Sequence, residues 1–211
     1  FLRLSGCNLA CSFCDEPLHK NKSKIIFEGT ADEFVDKLPR SWDFEKFNHQ
    51  VGSKGLIVLS GGEPTLYDLD YLISKIKNAF GKFEFSVETN GFNLNNATLP
   101  NLISFSPKIG AHKFPAESLK ALKAADFDRL EVKLVMDETP ESLEYVSSWL
   151  DFFESEAEKR DKLPIIYISP INDGLNINKK NTSYCIDFVR QNTRNLDVRL
   201  NTQMHKLWHL R

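Results

Sequence analysis

Residues 55–80 read GLIVLSGGEPTLYDLDYLISKIKNAF. The opening GLIVLS (55–60) is a short, almost unbroken apolar run, the pattern of a strand covered on both faces. A glycine pair interrupts it. The closing DLDYLISKIKNAF (68–80) puts Leu69, Leu72, Ile73, Ile76 and Phe80 on one side of a helix. Strand, tight turn and amphipathic helix, in that order, form one β–α unit of a parallel sheet.

The same alternation extends in both directions. Further strands are expected at FLRL (1–4), FEFSVET (83–89), LISFS (102–106), RLEVKLV (129–135), PIIYIS (164–169) and LDVRLN (196–201). Helical patterns fall at 31–38, 116–125, 141–159 and 182–191, and the third of these opens with Thr139 as N-cap and Pro140 at the first helical position. The stretches 19–29 and 40–54 are irregular and read as surface loops. The expected fold class is α/β, a single domain spanning 1–211 built of parallel β–α–β units. In such sheets ligands collect at the carboxyl ends of the strands. The chemically suggestive runs all sit there: the cysteines after the first strand, GGEP after the second, ETNG after the third and SPK after the fourth.

The chain has 211 residues, 41% hydrophobic and 27% charged, with a formal net charge of -2, so no global charge draws it to nucleic acid or to an anionic membrane. No apolar run is long enough to span a bilayer, and no segment reads as a secretory signal. Four cysteines in a chain of this length are no disulfide framework, and three of them crowded together point to metal or redox work in a reducing compartment, the cytoplasm. The chain begins at Phe1, inside a strand, so a preceding segment is expected.

Those three, Cys7, Cys11 and Cys14, read C-x3-C-x2-C. Three thiolates can hold three irons of a [4Fe–4S] cluster and leave the fourth open to a ligand from outside the protein. A structural zinc site completed by Asp15 or His19 is the competing reading, although the second half of such a site is absent. Cys185 stands apart and reads as a buried helical thiol.

The run CNLACSFC resembles the signature of the radical S-adenosylmethionine (radical SAM) superfamily, and SGGEP (60–64) resembles its second mark. More narrowly, FLRLSGCNLACSFCD, SGGEPTL, VETNG, SPK and the closing RLNTQMHK follow the order and spacing of the 7-carboxy-7-deazaguanine synthase family. That resemblance implies a fold, the incomplete parallel (β/α) barrel of the radical SAM type, together with a reaction and a set of residue roles. The reaction is conversion of 6-carboxy-5,6,7,8-tetrahydropterin to 7-carboxy-7-deazaguanine with loss of ammonia, on the route to queuosine and related deazapurines. The cofactors are a [4Fe–4S] cluster, S-adenosylmethionine and Mg2+.

By the same resemblance Cys7, Cys11 and Cys14 bind the cluster. Phe13 and Asp15 lie against S-adenosylmethionine, Gly62 and Glu63 serve its methionine end, and Ser106, Pro107 and Lys108 line its site. Ser169, Pro170, Ile171 and Asn172 form the last wall. Arg3, Ser60 and His205 meet the pterin. Glu16 replaces the family's magnesium-binding threonine; its carboxylate either binds Mg2+ or pairs with a lysine. The family also carries a Gln-Gly-Glu segment that nothing before Phe1 matches. Implied partners are the small-molecule pterin, an electron donor such as flavodoxin or ferredoxin, and a second copy in a homodimer, with no direct nucleic acid and no membrane.

Several residues have plainer roles open to them. Phe13 could be core packing, Lys108 and Lys133 surface charges, and Glu88 and Asn90 the closure of a turn before Gly91. His49, His205 and His209 could be structural. Arg3, inside an apolar strand, calls for an anionic partner. Two other functions remain: an activase that places a glycyl radical on a partner protein, and a zinc-stabilised binding module without catalysis.

Overall fold

The computed structural model describes residues 1–14, 25–38, 55–81, 83–109, 127–173 and 176–203. Along them run β1 (Leu2–Leu4), α1 (Ala31–Lys37), β2 (Leu56–Gly61), α2 (Leu69–Phe80), β3 (Glu84–Thr89), β4 (Leu102–Phe105), β5 (Leu130–Met136), α3 (Pro140–Ala157), β6 (Ile165–Pro170), α4 (Lys179–Gln191) and β7 (Val198–Leu200). Every strand read from the sequence is present. The helix expected over 116–125 lies outside the described residues. The chain forms two compact units, one from the described residues of Phe1–Asn8 and Glu16–Ile103, the other from those of Leu9–Asp15 and Ser104–Arg211.

In the first unit β1, β2 and β3 pair in parallel, with Arg3 opposite Ser60, Leu4 opposite Gly61 and Leu59 opposite Val87. Leu59, Phe85 and Val87 are fully buried, as are Leu69 and Ile73 of α2, so the apolar stripe of that helix is core. Asp68 starts α2 by accepting from the Tyr71 amide at 2.9 Å. Gly81, at φ 88°, ends it with its N–H on the Lys77 carbonyl. A capping box starts α1: Glu33 donates its amide to the Thr30 hydroxyl, and its carboxylate accepts the Thr30 amide at 2.8 Å.

In the second unit β5, β6 and β7 pair in parallel, with Val132 opposite Ile166 and Ile168 opposite Leu200. Leu130, Val132, Leu134 and Met136 alternate into the core, while Glu131 and Lys133 on the other face form an ion pair at 3.1 Å. Thr139 and Pro140 start α3 as the sequence predicts. Trp149 of α3 is buried edge-on to Phe105 of β4, with ring centroids 5.1 Å apart, a geometry worth about 0.5–1.5 kcal/mol beyond area burial. At the far end of α3 the buried Glu156 pairs with Lys159 and Arg160, and the Arg160 guanidinium lies 4.0 Å over the Phe127 ring. Helix α4 starts three residues before the periodicity predicts. Its signal is a cap: Asn178 accepts from the Asn181 amide at 3.0 Å. Among the described residues no helix is long and apolar enough to cross a membrane.

Candidate functional site

Strand β2 ends in the glycine pair, and the structure gives its reason. Gly61 has φ +137°, and a Cβ there would stand 2.0 Å from the Leu4 carbonyl oxygen. A Cβ on Gly62 would stand 1.9 Å from the Gly6 carbonyl and 3.1 Å from the Cys7 Cβ. The two amides that follow fix this approach, Gly62 N–H donating to Leu4 O at 3.0 Å and Glu63 N–H to Gly6 O at 2.8 Å. The turn is therefore laced to the residues that lead into the cysteines, and Gly62 lies beside Cys7.

Glu63 turns inward and is fully buried. Its Oε1 accepts from the Thr65 amide at 2.9 Å and from the Thr65 and Thr89 hydroxyls at 2.6 Å each, and its Oε2 accepts from the Asn90 amide at 2.6 Å. Four donors match the acceptor capacity of one carboxylate. Each hydroxyl gives its single proton to Glu63 and accepts a backbone amide in return, Thr65 from Asn93 at 3.1 Å and Thr89 from Gly91 at 2.9 Å. One buried carboxylate thus organises the GGEP turn, the ETNG turn and the chain beyond them. Glu88 receives the Ser60 hydroxyl at 2.9 Å, and the Asn90 side chain donates to Asn8 Oδ1 at 3.0 Å. Glu88 and Asn90 both do more than close a turn.

Arg3 is exposed on β1, so burial alone does not require an anion there. Cys7 and Cys11 are half-buried and Cys14 is exposed, and none of the three is in a disulfide. Half-buried Phe13 lies in the turn closed by the Cys14 amide on the Cys11 carbonyl at 3.3 Å. Cys185 differs in kind. It is fully buried, burial pushes its thiol up to about 12, and it donates to the Met136 carbonyl at 3.7 Å. Among the described residues no three His, Cys, Asp or Glu side chains converge as a group for a metal ion. The donor set of the loop nonetheless fits an iron–sulfur cluster: three accessible thiols closely spaced in sequence, with a turn at Cys7 too close for any side chain at Gly62.

In the second unit Ser106, Pro107 and Lys108 directly follow β4, and the Lys108 ammonium donates to the Ser106 hydroxyl at 2.7 Å. The SPIN run closes β6. Asn201 donates to Ser169 Oγ at 3.0 Å, Ile171 is held by its amide on Met136 O, and Asn172 donates to Gln203 Oε1 at 3.1 Å. The closing QMHK motif is thereby joined to SPIN through its first residue. Pro170 is buried at the strand end. Asp15, Glu16 and His205 lie outside the described residues. The sequence reading missed Asn8, Thr65, Thr89 and Gln203. Each has a partner remote in the chain, Asn8 in Asn90, Thr65 in Asn93, Thr89 in Glu63 and Gln203 in Asn172, which sequence spacing does not mark.

Residues 2–136 match the radical SAM superfamily. The chain belongs to that superfamily, whose enzymes use a [4Fe–4S] cluster and S-adenosylmethionine. Its relatives narrow the likeness. The chain is 27% identical to the 7-carboxy-7-deazaguanine synthase of Clostridium acetobutylicum, over 98% of this chain and 85% of that one. It is also 27% identical to the enzyme of that name from Haemophilus influenzae, over 98% and 82%. The crystal structure of QueE from Escherichia coli shares the fold at a TM-score of 0.56 and 24% identity, covering 95% of this chain and 83% of that one. The fold class is the radical SAM partial barrel that the resemblance implies.

Proposed function

We propose that this chain is a 7-carboxy-7-deazaguanine synthase, converting 6-carboxy-5,6,7,8-tetrahydropterin to 7-carboxy-7-deazaguanine with loss of ammonia in deazapurine and queuosine synthesis. The observation that carries this reading is the likeness to synthases of that name over 98% of the chain. It is supported by the lacing of the GGEP turn to the cysteine-bearing segment.

Cys7, Cys11 and Cys14 hold the cluster, and Cys185 takes no part. With S-adenosylmethionine bound, the cluster would supply radical chemistry directed at the pterin carbon that bears the carboxylate. The remaining residues bind, orient and exclude water. Phe13 and Asp15 lie against the adenosyl end. Gly62, through its backbone, and Glu63, through the turn it holds, shape the methionine end. Ser106, Pro107 and Lys108 line one wall, and Ser169, Pro170, Ile171 and Asn172 another. Arg3, with Ser60 opposite it in the sheet register, and His205 meet the pterin, Arg3 through its planar fork on the carboxylate. Glu16 supplies a carboxylate to Mg2+, a hard cation that prefers anionic oxygen. Residues 1–211 act as one radical SAM domain, in the cytoplasm, as a homodimer reduced by a flavodoxin or ferredoxin.

The deciding experiment is anaerobic reconstitution with iron and sulfide. The visible spectrum of the cluster is recorded, then the carboxypterin, S-adenosylmethionine and a reductant are added. Formation of 7-carboxy-7-deazaguanine is expected. A cluster that cleaves S-adenosylmethionine but leaves the pterin unchanged overturns the substrate assignment and returns the activase reading. A protein that binds zinc and takes up no cluster overturns both.

A further inference from the structure

Asn90 is held at both ends. Its backbone N–H is fixed on Glu63 Oε2 at 2.6 Å, inside the buried carboxylate network. Its side-chain amide reaches out of that network and donates to Asn8 Oδ1 at 3.0 Å, across 82 residues of sequence. The next residue, Gly91, stands at φ +85° with its N–H on the Thr89 hydroxyl, so the backbone behind the Asn90 side chain is fixed too. Asn8 directly follows Cys7, whose thiol lies 3.9 Å from the same Asn8 oxygen. That thiol contact is weak, and a sulfur bound to iron no longer donates. The amide bond from Asn90 does not depend on the metal.

We propose that Asn90 is a positioning residue for the cluster: it ties Asn8, and so the first cluster ligand, to the Glu63-centred network beneath the GGEP turn. The inference rests on the reading that Cys7, Cys11 and Cys14 hold a cluster. Its physical content is preorganisation. A ligand loop held by one fixed donor stays near its iron-bound geometry when the metal leaves, so recapture competes with escape.

The test compares reconstituted full-length wild type, Asn90→Ala, Asn8→Ala and the double variant. The readouts are the rate of iron release to a chelator and the melting temperature. Each single variant is expected to release iron about three- to tenfold faster, the fold-change of one hydrogen bond, with melting temperatures close to wild type. The double variant should release iron no faster than either single one, because both remove the same contact. Release at the wild-type rate from Asn90→Ala overturns the inference while leaving the cluster reading intact. So do effects that add in the double variant, or melting temperatures that fall in step with iron retention. A wild type that takes up no cluster overturns the cluster reading and the inference together.

Discussion

The Thr89 hydroxyl gives its proton to Glu63 Oε1 at 2.6 Å and accepts the Gly91 amide at 2.9 Å. Neither group has a second proton to offer, so the polarity of the network is set by the carboxylate at its centre. Glu63→Gln keeps the shape but presents an NH2 group to one of the donors, facing either the Asn90 amide or the threonine hydroxyls. A buried donor left without an acceptor costs about 1–3 kcal/mol. Urea denaturation of the unloaded protein should show a loss of that size, with an unchanged slope. An equal midpoint for wild type and variant would contradict the network as described.

The four cysteines should separate chemically. Replacing Cys7, Cys11 or Cys14 with alanine is expected to abolish a stable cluster, whereas Cys185→Ala should keep full iron content. In the unloaded protein an alkylating reagent at mildly alkaline pH should modify the three loop thiols and reach Cys185 only after denaturation, because burial raises that thiol to about 12. Iron and labelled peptides, counted by mass spectrometry, check both statements.

On the proposed reading Glu16, in place of the family's threonine, shares a magnesium ion with the substrate carboxylate. Two carboxylates side by side repel unless a cation lies between them. Turnover should therefore rise steeply with magnesium in the wild type, and Glu16→Thr should soften that dependence while retaining product formation. A flat wild-type response to added magnesium would remove the metal from Glu16.

Acid should expose the ion pairs that close α3. Burial alone raises the Glu156 carboxyl, and hydrogen bonds from Lys159 and Arg160 outweigh it, leaving its pKa below the ordinary value. A folded pKa depressed in this way contributes stability that is complete above the ordinary carboxyl range and fades as pH falls through the lowered value. Wild type should melt above Glu156→Gln near neutral pH, and the gap should close as the pH drops below about 4. A gap that stays constant across the range would show that Glu156 acts through packing alone.

Much of the fold was legible because its signals are local. Apolar runs marked β2 and β6, and Thr139 with Pro140 marked the start of α3. The short 3-10 turn at Leu94–Asn96 was not legible, since a tertiary partner holds it, Thr65 through the side chain of Asn96; the one at Pro64–Leu66 has a local cap, Glu63. The glycine pair illustrates the limit. Its sequence announced a tight turn made to approach a cofactor. The atoms that forbid a side chain at Gly61 and Gly62 are the carbonyls of Leu4 and Gly6, which no reading of residues 60–64 reveals. Glu63 stands out in the sequence within GGEP, but its four donors come from positions up to 27 residues away. The exposure of Arg3 follows from its place on β1, a property of the assembled sheet.

The sealed position of Cys185 bears on how the protein survives air. Oxidants reach the thiols of the loop first, where sulfenic acids and disulfides can be reduced again and iron and sulfide resupplied. The thiol whose oxidation would wedge polar atoms into the packing is the one they cannot touch. Leu59, Phe85, Trp149 and Phe153 are likewise sealed from solvent. Oxidative damage should therefore fall first on the exposed loop, where it can be reversed, and leave the packed interior around Cys185 for last.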